Sequence, residues 1–256
     1  MGKKTKIDWC DSTWNPVTGC LHGCEYCYAR RIAERFEPYE IYDPEMALQR
    51  HSIANKQLIG IGAPYVLDFP WQQRNKNGTI QNAPYPFGFD PTFHRYKLDE
   101  PQRWKKPRTI FVCSMADLFG DWVPDEWIKE VFAACEKAPQ HRYLFLTKNP
   151  ARYMKMYNAR YIQQWNERHP EKPHRQTEEY KGVLKLPAHD NWWFGSTLDS
   201  MKSRRAMLGR SDHTFVSIEP LTERIKVGLG SFGDDEWIII GAETGNRKGK
   251  VIPQRE

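Results

Sequence analysis

Five short apolar runs, each ending in polar residues, set the rhythm of the chain: "TIFVCSMAD" (109–117), "RYLFLTKN" (142–149), "NWWFGSTLD" (191–199), "HTFVSIEP" (213–220) and "EWIIIGAETG" (236–245). Their apolar parts are nearly continuous rather than alternating, which predicts strands buried on both faces, as in a parallel sheet. The intervening segments read as helices. "VPDEWIKEVFAACEKA" (123–138) opens with Pro124, Asp125 and Glu126, residues that favour a helix start, and then places Trp127, Val131 and Cys135 on one face. "STLDSMKSRRAMLGR" (196–210) supplies another helix, with Gly209 as its stop. Adding "TWNPVTG" (13–19) as a first strand and "YCYARRIAERF" (26–36) as the helix after it yields six successive strand–helix units. The fold class predicted is α/β, a partial TIM-type (β/α)6 barrel with a parallel sheet, in a single domain over 1–256.

Two long insertions interrupt that rhythm. Residues 37–108 are rich in aromatics, proline and glycine, as in "IGIGAPYVLDFPWQQRNKNG" and "APYPFGFDPTFHRY". This is too long for an ordinary connection and reads as a lid or substrate platform, with structural decoration as the alternative. The second insertion, 151–190, starts as a helix and interleaves Arg152, Lys155, Arg160, Arg168, Lys172 and Arg175 with Tyr153, Tyr157, Tyr161 and Trp165. Basic groups beside aromatic faces suit a nucleic-acid strand. The same spacing also suits a helix packed on its own barrel with its charges in water.

At 256 residues, 39% hydrophobic and 13% aromatic, the chain can bury one large core. No apolar run approaches the roughly 20 residues that span a bilayer, and "MGKKTKIDWCDST" lacks the apolar stretch of a signal peptide. A cytoplasmic protein without a membrane partner is expected. The net charge of +6 is compatible with an anionic partner but adds little by itself.

In a reducing compartment six cysteines do not make a disulfide framework, and three of them, Cys20, Cys24 and Cys27, crowd into "CLHGCEYC". Three thiolates spaced Cys-x3-Cys-x2-Cys can hold three irons of a [4Fe-4S] cluster and leave the fourth iron open to another ligand. A structural zinc, with Cys10 or His22 as fourth ligand, is the competing use, although no second Cys-x-x-Cys completes a zinc ribbon. In α/β barrels the chemistry collects at the carboxyl ends of the strands. Those ends carry the cysteine loop, Asp117, Lys148, Ser196, Thr197, Glu219 and Glu243. Of the remaining cysteines, Cys135 reads as core and Cys10 as a small buried residue near the barrel bottom. Cys113, in the second strand near those carboxyl ends, is the exception, since a thiol there could donate a hydrogen atom to a substrate, with a plain buried residue as the alternative.

The motif "CLHGCEYC", with Tyr26 just before the last cysteine and after the first strand of a six-unit α/β pattern, resembles the signature of the radical S-adenosylmethionine (radical SAM) superfamily. The wider phrasing "IDWCDSTWNPVTGC…CEYCYAR", with "FLTKNP", "GSTLD", "SIEPL" and "WIIIGAETG", resembles an uncharacterised branch found in phage and mobile-element genomes. The resemblance touches every predicted strand. It implies that Cys20, Cys24 and Cys27 hold the cluster and that S-adenosyl-L-methionine chelates the open iron. Reductive cleavage would then give methionine and a 5′-deoxyadenosyl radical that abstracts hydrogen from the substrate. Tyr26 matches the aromatic near the adenine. The superfamily's Gly-Gly-Glu at the second strand is replaced by "SMAD", so Asp117 or the backbone over 114–116 stands in its place. Ser196 and Thr197 match residues that reach the ribose or carboxylate, Lys148 could pair with that carboxylate, and Glu219 and Glu243 could bind ribose hydroxyls or the substrate. A flavodoxin- or ferredoxin-type electron donor is implied as partner. The basic insertion and the phage-type likeness lean toward a nucleotide or nucleic-acid base as substrate, for modification or repair, with a peptide or small metabolite next. A zinc-stabilised, non-catalytic nucleic-acid-binding protein is the alternative.

Overall fold

The computed structural model describes residues 5, 7–36, 40–41, 64–199, 203, 208, 212–220 and 237–241. In chain order the elements are β1 (Ser12–Trp14), β2 (Val17–Thr18), α1 (Tyr28–Arg35), β3 (Glu40–Ile41), β4 (Tyr65–Leu67), β5 (Gln72–Arg74), β6 (Ile80–Asn82) and β7 (Thr92–His94). A 3-10 turn (Arg95–Lys97) and the short helix α2 (Glu100–Arg103) follow. Then come β8 (Thr109–Val112), α3 (Asp125–Glu136), β9 (Arg142–Thr147), α4 (Pro150–Arg168), β10 (Trp192–Thr197), β11 (His213–Ile218) and β12 (Trp237–Ile240).

Six of these strands form one sheet in the order β1-β8-β9-β10-β11-β12, and every neighbouring pair is parallel. The strands therefore follow chain order across the sheet, and each connection is a crossover; α3 and α4 supply two of them. From β8 to β10 both faces are covered, which is why those runs are almost unbroken in apolar residues, whereas Ile238 and Ile240 of β12 are exposed. Ile110, Val112, Tyr143, Phe145, Trp192 and Phe194 pack with Trp127, Ile128, Val131, Phe132, Cys135, Tyr153 and Met156 of α3 and α4. The alternate positions Phe111, Leu144, Phe215 and Ile239 turn the other way and gather Cys10, Ile7, Trp9, Leu146, Trp193 and Trp237. Cys135 is core, as its helical position predicted.

The helix over 123–138 forms as α3, with Asp125 and Glu126 in its first turn. The predicted first strand, 13–19, divides in two. Pro16 has no N–H to give to a ladder, so β1 ends before it, and β2 leaves the large sheet to pair antiparallel with β7. The helix expected over 196–210 lies largely outside the described residues, apart from its opening residues, which belong to β10.

The described parts of the first insertion are 40–41 and 64–108, and β7 builds the second of them into the body of the protein. β7 joins β2 and β4 in a three-stranded sheet, and Phe93 lies buried 5.1 Å from the Trp127 ring. β3, β5 and β6 make a second small antiparallel sheet. Within the second insertion, α4 buries Tyr153, Met156, Ala159 and Ile162. Arg152 is tied to the carbonyls of Gly120 and Val123 and to Asp125, and Arg160 to Leu186 and Asp212. Half-buried basic groups of this helix thus fasten it to the core, and the packing reading accounts for its buried aromatic. Among the described residues no helix is long and apolar enough to cross a membrane.

Candidate functional site

The loop that carries the three cysteines starts at Gly19, whose φ of +84° is left-handed. A Cβ there would lie 2.2 Å from the Asp90 carbonyl oxygen, so only glycine fits the crossing. Its N–H donates to Met115, and the Cys20 N–H donates to Phe89. Further along, the Cys27 N–H donates to the Cys24 carbonyl, and the Cys27 sulfur caps α1 by accepting from the Arg30 N–H at 3.3 Å.

Two side chains pin the loop to the carboxyl ends of the strands. His22 Nε2 lies 2.7 Å from Asp117 Oδ2. Asp117, 5% exposed, also accepts from the Thr147 hydroxyl, the Lys148 N–H at 2.9 Å and the Phe119 N–H at 3.0 Å. Both of its oxygens are engaged, which makes it a clamp between the loop and the ends of β8 and β9. The second pin is Tyr26, whose hydroxyl meets Asp199 and Lys148; Lys148 Nζ is 2.5 Å from Asp199 Oδ2 and 2.7 Å from the Tyr26 oxygen.

A cavity of about 540 Å³ opens here, within the size range of small-molecule sites. From the loop it is lined by Cys20, His22, Cys24, Tyr26 and Cys27, from α1 by Arg31, and from the strand ends by Asp117, Lys148, Thr197, Ser217 and Glu219. Trp9, Phe111, Phe89 and Tyr28 add aromatic surface. Burial pushes the Cys20 thiol up to about 12, with Asp117 and the two other cysteines reinforcing the shift. Burial also raises Cys24, against the pull of Lys148, and lowers Lys148, against the thiols and Asp117. Coordination to a metal or cluster would release thiol protons, so binding there is favoured by rising pH. Among the described residues, no three His, Cys, Asp or Glu side chains are grouped as a metal ion would need. The three thiols nevertheless line one cavity, which fits a donor set spread over a larger cluster.

A family described as a protein of unknown function, DUF5131, matches residues 4–254. The chain belongs to this family. No curated protein and no solved structure matches it significantly.

For this DUF5131 member, eight of the residues singled out from sequence line the one cavity: Cys20, Cys24, Tyr26, Cys27, Asp117, Lys148, Thr197 and Glu219. Ser196 is buried next to Thr197 but does not line it, because adjacent strand residues point to opposite faces. Cys113 is not brought to the site. By alternation it would follow Phe111 toward the cavity, but its φ of +57° breaks the alternation and turns it into the core beside α3. It is 2% exposed. Cys10 sits under the cavity with Phe111 and Phe215. Glu243 lies outside the described residues. Sequence reading passed over Trp9, Arg31, Ser217 and Asp199 as site residues and weighed His22 only as a fourth zinc ligand, not as the partner of Asp117. Period-two counting would have found two of them, since Asp199 follows Thr197 and Ser217 precedes Glu219 on the same face.

Proposed function

We propose that the chain is a radical SAM enzyme on a partial (β/α)6 barrel, working in the cytoplasm with a flavodoxin- or ferredoxin-type donor. The observation that supports it is the opening of Cys20, Cys24 and Cys27 on one cavity at the carboxyl ends of six parallel strands in chain order. Cys20, Cys24 and Cys27 would hold the [4Fe-4S] cluster. The chemistry supplied by the bound cluster and S-adenosyl-L-methionine is reductive cleavage to methionine and a 5′-deoxyadenosyl radical that abstracts hydrogen. The protein's own residues hold and shield that chemistry. Lys148, already paired with Asp199, offers an ammonium to a ligand carboxylate, and Tyr26 presents a ring beside it. Thr197 and Ser217 offer hydroxyls to a ribose. Tyr28, Phe89, Trp9 and Phe111 restrict water around a reactive intermediate. The lean toward a nucleotide or nucleic-acid base rests on this aromatic and hydrogen-bonding lining, because Arg152 and Arg160 are spent on internal bonds.

The test is anaerobic reconstitution with iron and sulfide, followed by reduction and mass spectrometry for 5′-deoxyadenosine. Wild-type protein is expected to take up iron and sulfide and form the nucleoside, while Cys24→Ala keeps its fold and forms none. A colourless protein that binds zinc and unfolds when Cys24 is replaced would overturn the reading in favour of a zinc-stabilised, non-catalytic nucleic-acid-binding protein.

A further inference from the structure

One carboxylate in the cavity is built in without being used up. Glu219, at the end of β11, receives the Trp9 indole N–H on Oε2 at 3.3 Å. Its Oε1 is pressed against the backbone where β12 ends: a Cβ on Gly241 would lie 2.1 Å from that oxygen. Glycine at 241 thus leaves room for the carboxylate, and the indole orients it. Among the described residues Oε1 receives no donor. Ser217 and Thr197, paired in register on the adjacent strands, line the cavity beside it. Trp9 and Phe111, with centroids 4.7 Å apart, add aromatic surface to the same lining.

A held carboxylate with an open oxygen, next to hydroxyls and aromatic rings, suits a flat ring that carries adjacent N–H donors on one edge. We propose that this end of the cavity is a base-recognition subsite for a guanine-type heterocycle, whose ring N–H and exocyclic amine donate to Glu219. The proposal rests on the nucleotide reading above and narrows it to a substrate class. Adenine has no ring N–H donor on its pairing edge, and hypoxanthine lacks the exocyclic amine. A carboxylate that expects two donors discriminates against both, since a hydrogen bond to a charged group, once removed, costs about tenfold or more in affinity.

The experiment is calorimetric titration of the intact protein, without reconstitution, with guanosine, inosine and adenosine 5′-monophosphates, repeated on Glu219→Gln. Urea midpoints of both proteins establish that the variant is folded. The expected result is binding of the guanosine nucleotide about tenfold or more tighter than the inosine nucleotide, with the difference gone in the variant. No binding of the guanosine nucleotide, or a preference that survives Glu219→Gln, overturns the subsite. So does a loss confined to the adenosine nucleotide, which would assign Glu219 to the cofactor's adenosine. A variant that fails to fold is replaced by Trp9→Phe, which removes the orienting N–H together with part of the ring surface against Phe111 and must weaken the same preference, not merely lower the affinity for all three nucleotides alike. Because the titration needs no cluster, guanine selectivity in a protein that forms no 5′-deoxyadenosine would sink the radical reading alone. Formation of 5′-deoxyadenosine without guanine selectivity would sink this inference alone.

Discussion

Replacing Asp117 by Asn tests whether the clamp under the cysteine loop is structural, since the change is nearly isosteric and leaves the cavity's shape intact. In the wild type Oδ1 accepts from the Phe119 N–H and Oδ2 from the Lys148 N–H, with Thr147 and His22 also bound. An asparagine can keep only one oxygen. If that oxygen serves Phe119, the amide NH2 faces the Lys148 N–H, donor against donor, at a site 5% exposed. Stranding a buried N–H costs about 1–3 kcal/mol, and charge-assisted bonds elsewhere weaken with the lost negative charge. The total expected is about 3 kcal/mol, or a fall in Tm of roughly 6–12 °C for a chain of this size. Equilibrium urea unfolding would measure it, alongside Thr147→Val and the double variant. Thr147 donates to the same carboxylate, so the two substitutions should couple rather than add. A loss below about 0.5 kcal/mol, or strict additivity with Thr147→Val, would refute the clamp.

Three further outcomes are expected. His94 is fully buried between the Thr18 and Tyr96 hydroxyls, and burial lowers it to about 3 from the ordinary 6.5. The unfolded chain therefore takes up a proton that the folded one refuses, so the associated stability is complete above pH 6.5 and lost as pH falls toward 3. Urea unfolding should show about 2 kcal/mol less stability at pH 5 than at pH 6.5 from this group, and His94→Gln should remove that component. Gly19→Ala meets both a left-handed φ and a backbone oxygen at 2.2 Å and should cost more than about 2 kcal/mol and iron uptake. Gly78→Ala, at φ +83° with open space around it, should cost only about 1 kcal/mol; equal losses at the two sites would contradict the crossing. Cys113→Ala should leave 5′-deoxyadenosine formation and product turnover within twofold of wild type, because its thiol lies in the core. A product that retains solvent-derived hydrogen only with Cys113 present would show otherwise.

The amino-acid sequence by itself determined the order and parallel nature of the large sheet. The strand 142–147 carries apolar residues on both faces, and such a run can be satisfied only where helices or other chain cover both sides of a sheet. It also put Lys148, Thr197 and Glu219 at strand ends, which a parallel sheet must bring to one edge. What tertiary structure decided were the departures from period and the long-range pairings. A single left-handed residue at Cys113 cancelled an alternation that three preceding residues obeyed, and no propensity argument anticipates φ +57° at a cysteine. Pro16 turned β2 away to meet β7 some 75 residues later, making part of the first insertion core. The pairing of His22 with Asp117, of Tyr26 with Lys148 and Asp199, and of Trp9 with Glu219 joins residues 95, 122, 173 and 210 positions apart. Charge and hydrogen-bonding capacity are local properties of a side chain, but its partner is chosen by where the backbone delivers it, and that is a property of the whole fold.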